Sequence, residues 1–367
     1  MRPPAAAGTT SARLPPSPRG AGLPRRPTTP PTSCRARSIE PRIPPTAQNR
    51  PTSINRGLRG VPRTQDENQG RGTALAAARI RPLRRLPSLT ADSTPTADSP
   101  SPADEFLDPT DLLPGSGLAT LERLAESPST MDRAREIAAD PAARLPAAVI
   151  ADCQTLGRGR RGARWWQPPG SLAVSLVVGP AAGPRHGPRP TWSLVCGIAL
   201  AESIRELEPT VAATVRWPND IEVAGRKLAG ILVETSTTGR TVFGVGVNTT
   251  GRISDAPEGL RGRLVTIPDL TGQTLSRRRL LTAFIPRLLD LLAATDADPA
   301  VLGRRYRPLC SLHGLHVQVY VGDRHHAGIC RGIADDGGLI LDGAAGPVII
   351  HAGSLTRPGD EWRGGEV

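Results

Sequence analysis

Lysine is nearly absent from this sequence: 367 residues contain a single one, Lys227, against 45 arginines. Whatever replaced lysine with arginine elsewhere spared that position. Arginine grips a carboxylate with a planar fork, whereas lysine is a compact point charge that touches one oxygen and leaves the other free. A site holding a reacting carboxylate or phosphate needs the second kind. Aromatic residues are also scarce, at 3% of the chain, and none lies in the first hundred residues. No apolar run approaches the roughly 20 residues that span a bilayer, so no membrane association is expected. The five cysteines (Cys34, Cys153, Cys196, Cys310, Cys330) are scattered and include no CxxC pair. That argues against a disulfide framework and favours reduced thiols in the cytoplasm. His313, His316, His325 and His326 have no acidic or cysteine partners at ligand spacing, so they read as surface residues and no metal site is expected from them.

Charge is divided unevenly. Residues 1–100 hold 17 arginines against five acids, which accounts for the whole formal charge of +12 and leaves the remaining 267 residues neutral. The same hundred residues hold 18 of the 39 prolines and no sustained apolar periodicity, so they cannot bury enough surface to offset chain entropy. The expectation is a disordered Arg/Pro-rich tail over 1–112. Its roles stay open between a transit peptide, a polyanion-binding arm and a dispensable extension created by an upstream start codon. Its proline density leaves no room for a helix-turn-helix, so specific DNA binding is not expected.

After the tail, Thr130 to Ala139 reads as a helix capped by Ser129 or Thr130, with Met131, Ala134, Ile137 and Ala138 on one face. Strand-like runs follow at 147–155 and 171–179. Helical spacing returns between Trp192 and Leu207, and three further strands are expected at 213–217, 228–234 and 241–248. A second long helix spans Ser276 to Ala294. The order suggests an α+β fold with a mixed sheet flanked by helices over 113–306. Beyond Pro308, short strands punctuated by glycine predict a small SH3-like β-barrel over 307–360.

Three segments carry chemistry. Residues 154–170, QTLGRGRRGARWWQPPG, interleave glycines with Arg158, Arg160, Arg161 and Arg164. Glycine lets the backbone approach a ligand and arginine supplies forked donors to phosphate, while an empty loop of this kind repels itself and is expected to stay mobile until an anion arrives. In RWPNDIEVAGRKLAGILVE (216–234), Asn219 and Asp220 turn the chain, and Ala224 to Arg226 turn it again, so Lys227 enters a strand from a tight turn. GVGVN (244–248) is a strand whose glycines permit close approach and which ends on Asn248.

These segments, in this order, resemble the biotin protein ligases, whose members show a GRGRxGRxW loop with PPG downstream, then KWPNDI, KLAGIL and GxGxN. The resemblance runs from about Ser129 to the C-terminus and includes the small terminal barrel, in a short form without an N-terminal DNA-binding domain. It implies a biotin/lipoate ligase-like catalytic domain and a two-step reaction. Biotin and ATP, with Mg2+, give biotinyl-5'-AMP, and the biotinyl group then passes to a lysine on the biotin carboxyl carrier domain of acetyl-CoA carboxylase or a related carboxylase. A homodimer is left open. Bringing two anions together costs roughly 1 kcal/mol per unit pair at 4 Å in water and more in a dry cleft, so cations must be fixed beforehand.

Carried over by position, the resemblance assigns Lys227 and Arg160 as catalytic. Ser129, Thr130, Gln154, Gly157, Arg158 and Lys227 would bind biotin. Arg160, Arg161, Arg164, Trp165, Asn219 and Asn248 would bind the nucleotide, with Asp220 ordering the turn or acting through magnesium. Arg216, Gln167 and Ala173 depart from the family's usual lysine, serine and tyrosine, and the entry segment SPSTMDRA differs from the usual DSTN. Two other readings compete with this one. A lipoate-type ligase would show three consecutive glycines in an arginine-rich segment with a histidine nearby, and these are missing. A polyanion-binding protein that works through its arginine tail is disfavoured by the neutral folded part.

Overall fold

The computed structural model describes residues 112–179 and 190–356. All but the last residue of the expected tail lie outside the described residues. Leu112, which composition had put in the tail, is instead buried at 4% exposure in the main core. It is a leucine with an apolar core within reach, and burial of the side chain offsets the entropy of ordering it.

The larger sheet is built on β1 (Thr120–Ser127), β2 (Ala147–Gln154), β3 (Leu172–Val178), β4 (Thr214–Arg216), β5 (Asp220–Val223), β6 (Arg226–Thr235) and β7 (Thr241–Val247). Their order across the sheet is β1-β2-β3-β7-β6-β5-β4. β1 runs parallel to β2 and every other neighbour pair is antiparallel, which makes the sheet mixed as expected. Helix α1 (Thr130–Ala139) lies on one face, where Met131, Ala134 and Ala138 pack with Val177 and Val242. On the opposite face α2 (Pro190–Leu207) and α5 (Arg277–Ala297) pack on each other and on the main core. Short helices α3 (Glu258–Arg261) and α4 (Ile267–Thr271) precede α5, and α6 (Ala300–Tyr306) follows it.

The periodic segments fold as their patterns dictate. Ser276 caps α5 by accepting from the Arg279 N–H at 3.2 Å, which satisfies one of the donors a helix start leaves orphaned. Ala224 and Gly225 take φ of 48° and 77°, the left-handed pair that closes a two-residue hairpin turn and delivers Lys227 into β6.

The C-terminal part is an antiparallel sheet of β8 (His316–Val321), β9 (Arg324–Ile333), β10 (Leu339–Gly343), β11 (Gly346–Ile350) and β12 (Ser354–Thr356), ordered β11-β10-β9-β8-β12. The sheet carries the five short strands that the glycine punctuation predicted, and its pairings leave β11 and β12 as edges. It is fastened to the rest of the fold beside β4. The Trp217 Nε1–H donates to Gly337 O at 3.0 Å, Thr191 Oγ1 donates to Asp336 O at 2.9 Å, and Arg216 Nη2 donates to Leu355 O at 2.9 Å. The buried apolar side chains of both parts form one continuous core.

Cys196, Cys310 and Cys330 are free thiols, as expected, whereas Cys153 is disulfide-bonded, against that expectation. Among the described residues no helix is long and apolar enough to cross a membrane.

Candidate active site

A cleft opens on the α1 face of the sheet because its floor is built from the smallest residues. Ala173 on β3 pairs with Gly246 on β7, which pairs with Gly230 on β6, so three adjacent strands present almost no side chain along one row. The indole of Trp165 rests on that row: a Cβ at Gly246 would lie 2.5 Å from Trp165 Cε2, and one at Gly230 would lie 3.2 Å from Trp165 Cζ3. In the next row Gly244 faces Met131 of α1, whose sulfur would lie 2.6 Å from an added Cβ. Glycine is required at these positions by close approach.

The arginine loop forms one rim. It is a hairpin closed by Trp165 N–H to Gly157 O at 2.9 Å and Gly159 N–H to Ala163 O at 2.7 Å, with Arg161 at φ 57° and Gly162 at φ 80° on its tip. Mutual repulsion of its cations is offset because each finds a separate partner. Arg158 pairs with Asp132 at 2.6 Å, and Arg160 Nη1 donates to Asn219 Oδ1 at 2.9 Å. Arg161 donates to Ser354 Oγ on β12, and Arg164 Nη2 donates to Thr155 O at 3.4 Å. Burial, and next the charge of Arg161, push the Arg160 guanidinium below its ordinary value while Asp220 opposes them. A guanidinium keeps its charge through such a shift.

Lys227 stands at the centre. Its Nζ lies 2.8 Å from Asp220 Oδ1 and 5.6 Å from the centroid of the Trp165 ring. The contact with Asp220 is an ion pair between the ammonium and a buried carboxylate oxygen. Lys227 and Asp220 are only 28% and 25% exposed, so water screens their charges less than at an open surface. Asn219 is bolted to β6 from both ends, with its Nδ2 donating to Ile231 O and its backbone carbonyl accepting from the Ile231 N–H, each at 3.0 Å.

The far wall is polar and connected. Gln154 Oε1 accepts from the Thr130 N–H at 3.0 Å and from Thr130 Oγ1 at 3.2 Å, while Ser175 Oγ donates to Thr130 Oγ1 at 2.8 Å. Gln154 Nε2 donates onward to Gln167 Oε1 at 3.2 Å. This chain fixes which edge of Gln154 faces the cleft.

Ser129, Thr130, Gln154, Arg158, Arg160, Trp165, Asn219 and Lys227 therefore converge on one cleft. Gly157, Arg161, Arg164 and Asn248 lie off its walls. Gly157 supports Trp165 from behind. Asn248 is fully buried, its Nδ2 donating to Val265 O at 3.1 Å and its backbone carbonyl accepting the Ile267 N–H at 2.9 Å, which ties the end of β7 to α4. The motifs did not reveal Asp132 as partner of Arg158, Met131 as a wall, or Ser175 behind Thr130. The apolar face of the Thr130–Ala139 segment was the one available signal for Met131.

Residues 125–250, which hold this cleft, match the Biotin/lipoate A/B protein ligase family. The chain is 35% identical over 232 residues to the bifunctional ligase/repressor BirA of Salmonella typhimurium, covering 60% of this chain and 65% of that protein's length. It is 32% identical over 250 residues to the biotin--[acetyl-CoA-carboxylase] ligase of Mycobacterium tuberculosis, covering 66% of this chain and 91% of the relative. The crystal structure of a biotin protein ligase from Aquifex aeolicus in complex with biotin and ATP superposes with a TM-score of 0.58 at 26% identity, over 65% of this chain and 99% of that one. The matched span takes in the small-residue floor, the arginine hairpin and the solitary ammonium together, and the chain belongs to the biotin protein ligase family.

Proposed function

We propose that this chain is an ATP-dependent biotin protein ligase: it makes biotinyl-5'-AMP from biotin and ATP and transfers the biotinyl group to a lysine of a carboxylase carrier domain. The observation that carries the reading is Lys227 Nζ over the glycine floor, 2.8 Å from Asp220 and flanked by Arg160. A preorganised pair of cations in a partly desolvated cleft stabilises charge as it develops on phosphate.

In the first step a carboxylate oxygen of biotin attacks the α-phosphorus, a P–O bond forms, and the bond to pyrophosphate breaks. Lys227 balances one carboxylate oxygen and leaves the other free to attack. Arg160, held by Asn219, faces the phosphate charge. The Thr130–Gln154 wall supplies donors and acceptors for the ureido head, with Ser129, Gly157 and Arg158 completing that end. Arg161 and Arg164 take the outer phosphates once the hairpin rearranges, Trp165 packs on the adenylate, and Asn248 supports the nucleotide side from beneath. In the second step a carrier lysine amine attacks the acyl carbon, an amide forms, and AMP leaves with the electron pair of the C–O bond.

Magnesium fits the residues present in a limited way. Asp220 Oδ1 already faces the Lys227 ammonium at 2.8 Å, which leaves the other carboxylate oxygen for a cation, and magnesium carried in on ATP typically needs only one or two carboxylates besides phosphate. Asp220 would hold it there, and the ion would neutralise phosphate charge.

The reading takes 113–306 as the catalytic domain and 307–360 as a separate small domain closing as a barrel, of which the five-stranded sheet order is the support. It takes the chain to work in the cytoplasm, on the ground of the free thiols of Cys196, Cys310 and Cys330, and without operator binding, on the ground of the proline-dense N-terminal composition. Incubation with labelled biotin, ATP and an acceptor carrier domain tests it, with lipoate as competitor. Biotin-dependent pyrophosphate release and label on the carrier lysine are expected. Release driven by lipoate in place of biotin would overturn the assignment.

A further inference from the structure

A second reactive centre lies away from the cleft, where α6 meets the small sheet. Cys310 follows the Arg307–Leu309 turn, and its backbone bridges in parallel to Val215 on β4. Cys330 sits on β9 and is fully buried. The two segments are adjacent: the Cys330 N–H donates to Leu315 O and the Gly314 N–H donates to Cys330 O, each at 2.9 Å. Both thiols are free, Cys330 lies in the core that Cys310 packs against, and each is among the groups that set the other's acidity.

Access is unequal. Cys310 is half-buried and lines a cavity of about 200 Å³, together with Tyr306, Arg307, His313, Arg331 and Asp335. Cys330 is fully buried and does not line that cavity. The hydrogen bond from Cys330 leads in holding the Cys310 thiol below its ordinary value. The Tyr306 hydroxyl and the Leu312 and His313 N–H groups add to it, and together they outweigh burial. The same pairing and burial push Cys330 up. Arg304, Arg307 and Arg331 add positive charge around the cavity, Asp335 opposes them, and His313 is the remaining titratable wall. A stabilised, accessible thiolate beside a second thiol is the arrangement that thiol–disulfide exchange needs.

We propose that Cys310 and Cys330 form a reversible disulfide, with Cys310 as the entry point for small-molecule disulfide oxidants and Cys330 as the resolving thiol. The Cys310 thiolate attacks one sulfur of the oxidant, forming a mixed disulfide and expelling one thiolate. Cys330, giving up its proton, then attacks the Cys310 sulfur and expels the second thiolate, so two protein thiols are oxidised as one external disulfide is reduced. The new bond staples β9 to the segment bridged to β4. The same sheet carries the Gly337 and Leu355 carbonyls that anchor Trp217 and Arg216.

The full-length protein, reduced and then exposed to oxidised glutathione, is the test, read by non-reducing peptide mapping. A Cys310–Cys330 cross-linked peptide that disappears on reduction is expected, with Cys196 unmodified until the protein unfolds. In Cys330→Ser glutathione should accumulate on Cys310, and in Cys310→Ser Cys330 should remain a free thiol. Glutathione persisting on Cys310 of the unsubstituted protein, or no reaction at either thiol, would overturn the proposal. So would modification of Cys330 in the Cys310→Ser protein.

Discussion

The indole of Trp165 lies so close above Gly246 that a β-carbon there would stand 2.5 Å from its Cε2 atom. Gly246→Ala must therefore lift the ring or bend β7, a clash of the kind that costs about 1–3 kcal/mol. The ring is at the end of a loop and will move first. The expected outcome is a folded variant whose KM for ATP rises about tenfold, with ~1.4 kcal/mol corresponding to each tenfold. Steady-state pyrophosphate release across an ATP titration measures it, and a wild-type KM would show that the indole does not serve the nucleotide.

Lys227→Arg keeps a positive charge beside Asp220, so the melting temperature should barely change. The fork then grips both oxygens of the incoming carboxylate, and adenylate formation is expected to fall by roughly 100-fold, the scale of losing one preorganised oxyanion donor. Single-turnover formation of the adenylate reads this directly. Unaltered turnover would mean that a point charge is not what the position requires.

Arg216 Nη1 donates to Glu222 Oε1 at 3.1 Å while Nη2 donates to Leu355 O, and the Glu222 side chain is only 2% exposed. Lysine cannot serve both acceptors from one fork position. Arg216→Lys should lower stability by about 1–3 kcal/mol, the cost of leaving a buried polar partner short of a donor. Thermal melts followed by circular dichroism check it. An unchanged midpoint would mean that the link to β12 contributes nothing.

Removal of residues 1–110 should leave biotin transfer intact, because the excess positive charge of that segment has no counterpart in the neutral remainder. The truncated and full-length chains are compared with the same carrier domain. Loss of transfer from a chain that still melts cooperatively would give the segment a part in the reaction.

Legibility in the sequence followed how local each determinant is. The α1, β2, β7 and α5 segments were readable because their apolar spacing matches a single period, and Lys227 stood out through composition alone. β1 was missed: TLERLAES is half-exposed at the sheet edge and lacks clean alternation. Tertiary pairing with β2, rather than propensity, makes it a strand. The row Ala173–Gly246–Gly230 joins three strands far apart in sequence, so only its two glycines, and not the seat they make for Trp165, could be anticipated. The Cys310–Cys330 contact was illegible for the same reason. Asn248 was legible as a conspicuous polar strand end, but its carboxamide nitrogen is spent on Val265 O and its backbone carbonyl on the Ile267 N–H, which leaves Oδ1 buried without a hydrogen-bond partner.

The solitary ammonium has a further consequence under the proposed chemistry. Acyl-adenylates are electrophiles that mark any free amine they meet on leaving their enzyme. Guanidinium groups stay protonated at every physiological pH and do not compete as nucleophiles. A chain with 45 of them, whose one side-chain amine stands against Asp220 and near Trp165, offers its own intermediate no other amine than the one at its N-terminus.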